Sequence, residues 1–321
     1  MNTLFCHISA LLLLLALLSG CGAKEPAPQP EPSPFETPVD QARILSDFPP
    51  ELCTFTVTDP FTRLAEAQNL VPSDYEEQSR QSDEAALTDT ILCTVAAQND
   101  HYRATYHLRF RYRYEDEWKL DSWESLTDAN YQVLSNPFLA SAAEAKPGFT
   151  LSSTGFDKGD CTFTYRKVTE KPLCDLAEQQ TVHTTFDGAA WTLTEGESSV
   201  AAEDWALTGT WAIDYSTWDG YHLQSELTIT DFDWASQCIS GSWHVKVTWF
   251  TEKIDETREF TDEPILVQGN SSFRLPELFR YSAFFSDEQM ELEVDEEEVR
   301  ILTSLHPLFE EGVYALTLQN P

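Results

Sequence analysis

Apolar and polar positions alternate without a break from Tyr102 to Tyr114. Tyr102, Ala104, Tyr106, Leu108, Phe110, Tyr112 and Tyr114 share one face, and Arg103, Thr105, His107, Arg109, Arg111 and Arg113 share the other. A two-residue period is the mark of a half-buried strand. The acidic turn Glu115-Asp116-Glu117 follows, and Trp118–Trp123 returns as a second strand. Upstream, Thr88–Ala97 reads as another strand. Before it, Phe61, Leu64, Ala67 and Leu70 recur every third residue, which predicts a helix over Asp59–Leu70. The predicted order is a helix and then a meander of three strands.

Part of this pattern recurs. Phe186-Asp187-Gly188-Ala189-Ala190-Trp191-Thr192-Leu193 echoes Tyr114-Glu115-Asp116-Glu117-Trp118-Lys119-Leu120, and Cys161-Thr-Phe-Thr echoes Cys53-Thr-Phe-Thr. Residues 51–127 and 130–198 therefore read as two related α+β units. Residues 203–321 read as a separate β domain. There Trp211, Ile213 and Tyr215 share one strand face, and Leu223, Leu227 and Ile229 the next. Ile239, Gly241, Trp243, Val245, Val247 and Trp249 line a third. Further strands are predicted at Glu263–Val267, Val299–Leu302 and Val313–Leu318. Short strands at regular spacing argue for an antiparallel barrel or sandwich. The fold class expected is α+β and rich in strand. The helix-then-sheet order resembles the small cystatin-like or NTF2-like domains found in tandem in envelope lipoproteins. Gly209-Thr210-Trp211 resembles the Gly-x-Trp opening of lipocalin-type barrels, without that family's later Thr-Asp-Tyr signature.

The amino-terminal pattern is different. Leu4–Leu18 is almost wholly apolar and is broken by His7 and Ser9. It is shorter than the roughly 18 residues a spanning helix requires and suits a signal-peptide core. It ends in Leu18-Ser19-Gly20-Cys21, which resembles the lipobox of bacterial lipoproteins. The resemblance implies cleavage before Cys21, a diacylglycerol on its thiol, and an extracytoplasmic chain held to the cell membrane. Residues 1–20 are then the signal peptide. Within residues 21–50, Gly22–Pro50 holds eight prolines, a composition expected to give an extended stalk rather than a core.

Charge removes some partners. With 54 acidic against 20 basic residues, the formal net charge is −34. Nucleic acid, which requires cations at its phosphates, is excluded as a partner. The expected partners are the membrane, through the lipid, and an envelope protein or glycan. Besides Cys21, the mature chain has Cys53, Cys93, Cys161, Cys174 and Cys238. Cys161 could pair with Cys174 and Cys53 with Cys93, or all five could be free buried thiols. No Cys-x-x-Cys, Gly-x-Ser-x-Gly, Ser-x-x-Lys or His-Glu-x-x-His motif is present, so no cofactor, metal or catalytic residue is assigned.

Three surface features remain as candidates. Arg103, Arg109, Arg111 and Arg113 form a basic stripe that could grip an anionic glycan or serve as a solvated face paired with acidic neighbours. Trp218, Asp219, Tyr221 and Trp234 fall at predicted turns, where an aromatic beside a carboxylate can stack on a sugar ring. Asp287–Glu298 holds eight carboxylates without the ladder of a calcium loop and reads as a solvated acidic loop or edge. The reading is a non-catalytic binding protein of the cell envelope, with a carbohydrate-binding module or an NTF2-like enzyme as alternatives.

Overall fold

The computed structural model describes residues 33–218, 220–249, 252–283, 286–303 and 312–319. The lipobox, the signal segment and residues 21–32 lie outside them. The chain divides into two units. One comprises Met1–Thr54, Asn69–Asn99 and Arg103–Asn130; the other comprises Phe55–Gln68, Asp100–Tyr102 and Tyr131–Pro321.

The helix expected over Asp59–Leu70 is absent. Its place is taken by a hairpin of β1 (Thr54–Thr58) and β2 (Ala65–Asn69). Asp59-Pro60 starts the turn. The Asp59 carboxylate accepts the N–H groups of Phe61 at 2.7 Å and Thr62 at 3.1 Å, the bonding that makes Asx residues turn formers. Phe61, read as part of a helical stripe, instead packs edge-on against Phe163 with centroids 5.0 Å apart.

The helix of the first unit lies earlier, at α1 (Gln41–Ser46). Asp40 caps it by accepting the Arg43 N–H at 2.8 Å, a standard helix start. After it comes a meander of β3 (Val71–Asp83), β4 (Thr88–Gln98), β5 (Tyr102–Tyr114) and β6 (Trp118–Ser125). The expected period on β5 holds. Ala104, Tyr106, Leu108, Phe110 and Tyr112 are buried, while Arg109, Arg111 and Arg113 are exposed. Residues 33–50 are no stalk. Val39, Ile44 and Phe48 are buried, Phe48 packs on Tyr106, and the Trp118 indole donates to the Thr37 carbonyl at 3.1 Å. Their prolines mark short turns around a core segment instead of an extended tether.

A second helix and meander repeat the plan within the second unit. β7 (Asn130–Val133) leads to α2 (Leu139–Glu144). Then β8 (Thr150–Asp157), β9 (Asp160–Glu170), β10 (Asp175–Phe186) and β11 (Trp191–Glu203) form a four-stranded meander. The Tyr165 hydroxyl donates to the Ala142 carbonyl of α2 at 2.9 Å. One sequence echo is topological. Tyr114 and Trp118 close the hairpin between the third and fourth strands of the first meander, and Phe186 and Trp191 close the same hairpin in the second. Their rings lie 5.4 and 5.3 Å apart. The Cys-Thr-Phe-Thr echo falls on unlike elements, β1 in one case and β9 in the other.

The carboxy-terminal sheet has nine strands. They are β12 (Gly209–Ser216), β13 (His222–Asp233), β14 (Cys238–Trp249), β15 (Glu252–Pro264), β16 (Leu266–Gln268), β17 (Ser272–Ala283), β18 (Ser286–Val294), β19 (Val299–Thr303) and β20 (Gly312–Leu318). Their order is β15-β14-β13-β12-β20-β19-β18-β17-β16. The two outermost strands are consecutive in the chain and separated by Ile265 alone, so the sheet curls into a nearly closed antiparallel barrel. Its inward face carries Leu223, Leu227, Ile229, Trp243, Val245, Leu275, Leu292 and Ile301, all buried. Trp243 keeps its indole N–H bonded to Ser225 Oγ at 2.7 Å. A β-bulge lies beside Gly241, where a Cβ would overlap the Thr228 carbonyl oxygen. The acidic run expected as a loop is strand and tight turn. Asp295 accepts the N–H groups of Glu297 and Glu298, and Arg300 pairs with Glu293, Asp295 and Glu298.

The second meander and the barrel share a core. Leu173, in the turn between β9 and β10, sits in the barrel cluster with Leu207. Its N–H donates to the Glu296 carbonyl at 3.2 Å and its carbonyl accepts from Ala206 N–H at 2.8 Å. The boundary expected at 203 therefore crosses a packed junction.

Candidate functional site

The loop 217–221 joins β12 to β13. The Thr217 N–H donates to the Tyr221 carbonyl at 2.9 Å, Thr217 Oγ1 accepts the Tyr221 N–H at 3.2 Å, and Gly220 takes a φ of +93°. Tyr221 is buried in the barrel core, whereas Trp218 is 99% exposed. One aromatic anchors the turn and the other projects from it. Asp219 lies outside the described residues.

Trp234 does not join this loop. It occupies the turn between β13 and β14, at the other end of β13. At ~3.3 Å per residue, the length of β13 separates the two tips by more than about 30 Å. Trp234 is half-buried against Trp205, Phe232 and Phe273, with ring centroids 5.3, 6.4 and 6.3 Å away. The four expected residues thus form no common platform. Trp205 belongs to this cluster and was not picked out from the sequence, because the 204–208 linker has no period to mark it.

Beside the 217–221 loop the outer barrel face is polar. Asp214 accepts from His222 Nε2 at 2.6 Å and Gln224 Nε2 at 2.9 Å. Gln224, with His222 next, holds the Asp214 carboxyl below its ordinary range. One strand further, His244 Nε2 meets Asp255 Oδ1 at 2.9 Å and lowers that carboxyl too. These are exposed cross-strand pairs, screened by solvent, and they add little to stability.

The basic stripe is a paired face. Arg103 meets Asp74 at 2.8 Å, Arg109 meets Glu124, and Arg111 meets Asp121 at 3.7 Å. Arg113 is exposed, in register with Thr88 and Lys119. Carboxylates on β3 and β6 thus answer three of the four cations, which leaves little net positive field for an anionic ligand.

Cys53, Cys93, Cys161, Cys174 and Cys238 are free. Burial, with Glu77 nearby, pushes the Cys93 thiol up to about 12. Burial, with Glu296 and Asp175 nearby, pushes Cys174 up to about 11. A thiol nucleophile needs the opposite shift. Among the described residues no group of three or more His, Cys, Asp or Glu is placed to hold a metal ion. Comparison with protein-family models, with curated proteins and with solved structures finds no match to this chain.

Proposed function

We propose that this chain is a lipid-anchored, extracytoplasmic protein of the bacterial cell envelope that binds a partner through its surface and performs no catalysis. The observation that carries the reading is the apolar run Leu4–Leu18 ending in Leu18-Ser19-Gly20-Cys21. The barrel supports a role played at its surface, because the buried side chains described on its inward face are apolar and the buried Ser225 hydroxyl accepts the Trp243 indole N–H. Mass spectrometry of the native amino terminus is the direct test. The expected product begins at Cys21 with a diacylglycerol on its thiol, and Cys21→Ser abolishes the modification. An unmodified Cys21 or a cut elsewhere refutes the anchor.

One observation favours a second reading, a carbohydrate-binding surface. Trp218 is held clear of the barrel on a loop that its own hydrogen bonds and Tyr221 fix, and an exposed tryptophan on a fixed turn is suited to stacking on a sugar ring. Glycan-array binding that is lost in Trp218→Ala supports this reading. Binding that survives the substitution excludes it.

A further inference from the structure

We propose that β8 is the edge through which two copies of this chain pair, strand to strand. A free sheet edge presents unpaired N–H and C=O groups, and proteins guard such edges with charge, proline or bulges. Among the described residues, and leaving aside strands of five residues or fewer, the edges here are β3, β6, β8, β11 and β15. Four are guarded by charge. β3 has Asp74, Glu76, Glu77 and Asp83 against Arg80, together with Pro72 and two bulges. β6 has Lys119, Asp121 and Glu124, and β11 has Glu195, Glu197 and Glu203. β15 has six carboxylates against Lys253 and Arg258.

β8 has none of this over most of its length. Its sequence is Thr-Leu-Ser-Ser-Thr-Gly-Phe-Asp, and the single charge is Asp157 at the end. Residues 152–157 are all exposed, so among the described residues nothing covers either face of the strand there. Its single bulge lies at Leu151/Ser153, near the start. A chain with a net charge of −34 that arms its other long edges and leaves this one bare has an edge fit for use.

The occupant is a second copy because self-pairing is where charge decides. Antiparallel pairing of β3, β11 or β15 with itself sets carboxylates opposite carboxylates in many of the possible registers, which is destabilising, whereas β8 carries one charge, at its end. A two-fold axis at Thr154 pairs Thr154 with Thr154, Ser153 with Gly155, Ser152 with Phe156 and Leu151 with Asp157. No like charges meet. The remaining acidic surface is screened beyond ~10 Å at ordinary salt. The product is one continuous sheet from two four-stranded meanders. The inference does not rest on the lipid anchor.

Sedimentation of the full chain in a non-ionic detergent tests it. The expected result is a concentration-dependent dimer for the wild type. Thr154→Lys and Ser153→Lys place like charges across the axis and should each raise the dimer dissociation constant at least tenfold with an unchanged melting temperature. Ser198→Lys on β11 should leave the dimer intact. A wild-type monomer at every concentration, or a dimer indifferent to both β8 substitutions, overturns the proposal. A heterologous partner captured by β8 while the wild type stays monomeric also overturns it.

Discussion

Arg80 holds several partners at once, and its position explains why one buried carboxylate is tolerated. Asp89 is fully buried and accepts from Arg80 Nη1 at 3.0 Å and Ser82 Oγ at 3.0 Å. The same guanidinium donates to the Val39 carbonyl at 2.8 Å and to Glu77. Asp89→Ala leaves Ser82 Oγ and one arm of the Arg80 guanidinium without their buried acceptor, while Glu77 still pairs the cation, and the expected cost is ~1–3 kcal/mol by urea denaturation. A cost under ~1 kcal/mol would mean that water replaces Asp89 freely. Arg80 also holds the Glu77 carboxyl below its ordinary range, with help from Tyr75. The folded value is depressed, so this stabilisation is complete above the unfolded value of ~4.3 and is lost as pH falls through the lower folded one. Glu77 is about one-third exposed, so screening keeps the effect small. β5 offers a sharper contrast. Phe110 is fully buried, and Phe110→Ala should cost ~3–5 kcal/mol. Arg111 is half exposed in a 3.7 Å pair, and Arg111→Ala should change stability by ~0.5 kcal/mol or less. If the arginine variant proves the more damaging, the stripe is doing more than facing water.

At the level of elements, legibility followed the length of the pattern. β5 is readable because thirteen residues keep one period, and β14 is readable for the same reason over twelve; β19 and β20 are shorter and are marked by their β-branched and apolar residues. The false helix over Asp59–Leu70 rested on four apolar positions, and a single Asx turn at Asp59 outweighed them. α1 is not legible because a helix of six residues, under two turns, inside a proline-rich stretch has no period to count; its one signal is the Asp40 cap. β18 was missed because its outward carboxylates, Glu291 and Glu293, meet Arg274 and Arg300 across the sheet, and sequence alone does not show cross-strand neighbours. The candidate tryptophans were grouped by residue type, and the length of β13 then separated them. Two tests belong at this scale. A chain beginning at Pro50 loses Val39, Ile44 and Phe48 from the core and should melt well below one beginning at Ser33; equal melting temperatures would restore the stalk reading. Gly241→Ala forces a Cβ into the Thr228 carbonyl, so β13 and β14 must move apart and stability should fall by ~2 kcal/mol or more, in the range of other overpacking changes. A neutral result would place the bulge elsewhere.

For the molecule, the question is how many pieces fold alone. The sequence divides at 203 because a new alternating pattern starts there, and alternation reports which face is buried without reporting what buries it. In the structure, part of the barrel's cover comes from outside the barrel. Leu173 lies in the cluster with Leu207 and Trp211, and the Lys171–Glu297 pair and the Leu173–Glu296 backbone bond hold the same turn in place. Ala202 N–H, near the end of β11, donates to the Asn270 carbonyl at 3.0 Å. A fragment of residues 203–321 would expose the surface that Leu173 covers and leave these backbone groups to water. Burial of one leucine stabilises by ~1.5–3 kcal/mol, a large share of the 5–15 kcal/mol typical of a domain. The expected outcome is a broad, low-temperature melt for 203–321 and a single cooperative transition for 131–321. Leu173→Ala in the full chain should lower stability by ~2–5 kcal/mol and should do so in the transition that reports barrel tryptophan fluorescence. A cooperative melt of the isolated 203–321 fragment, at the temperature of the longer one, would show that the junction is docking between independent domains and not a shared core.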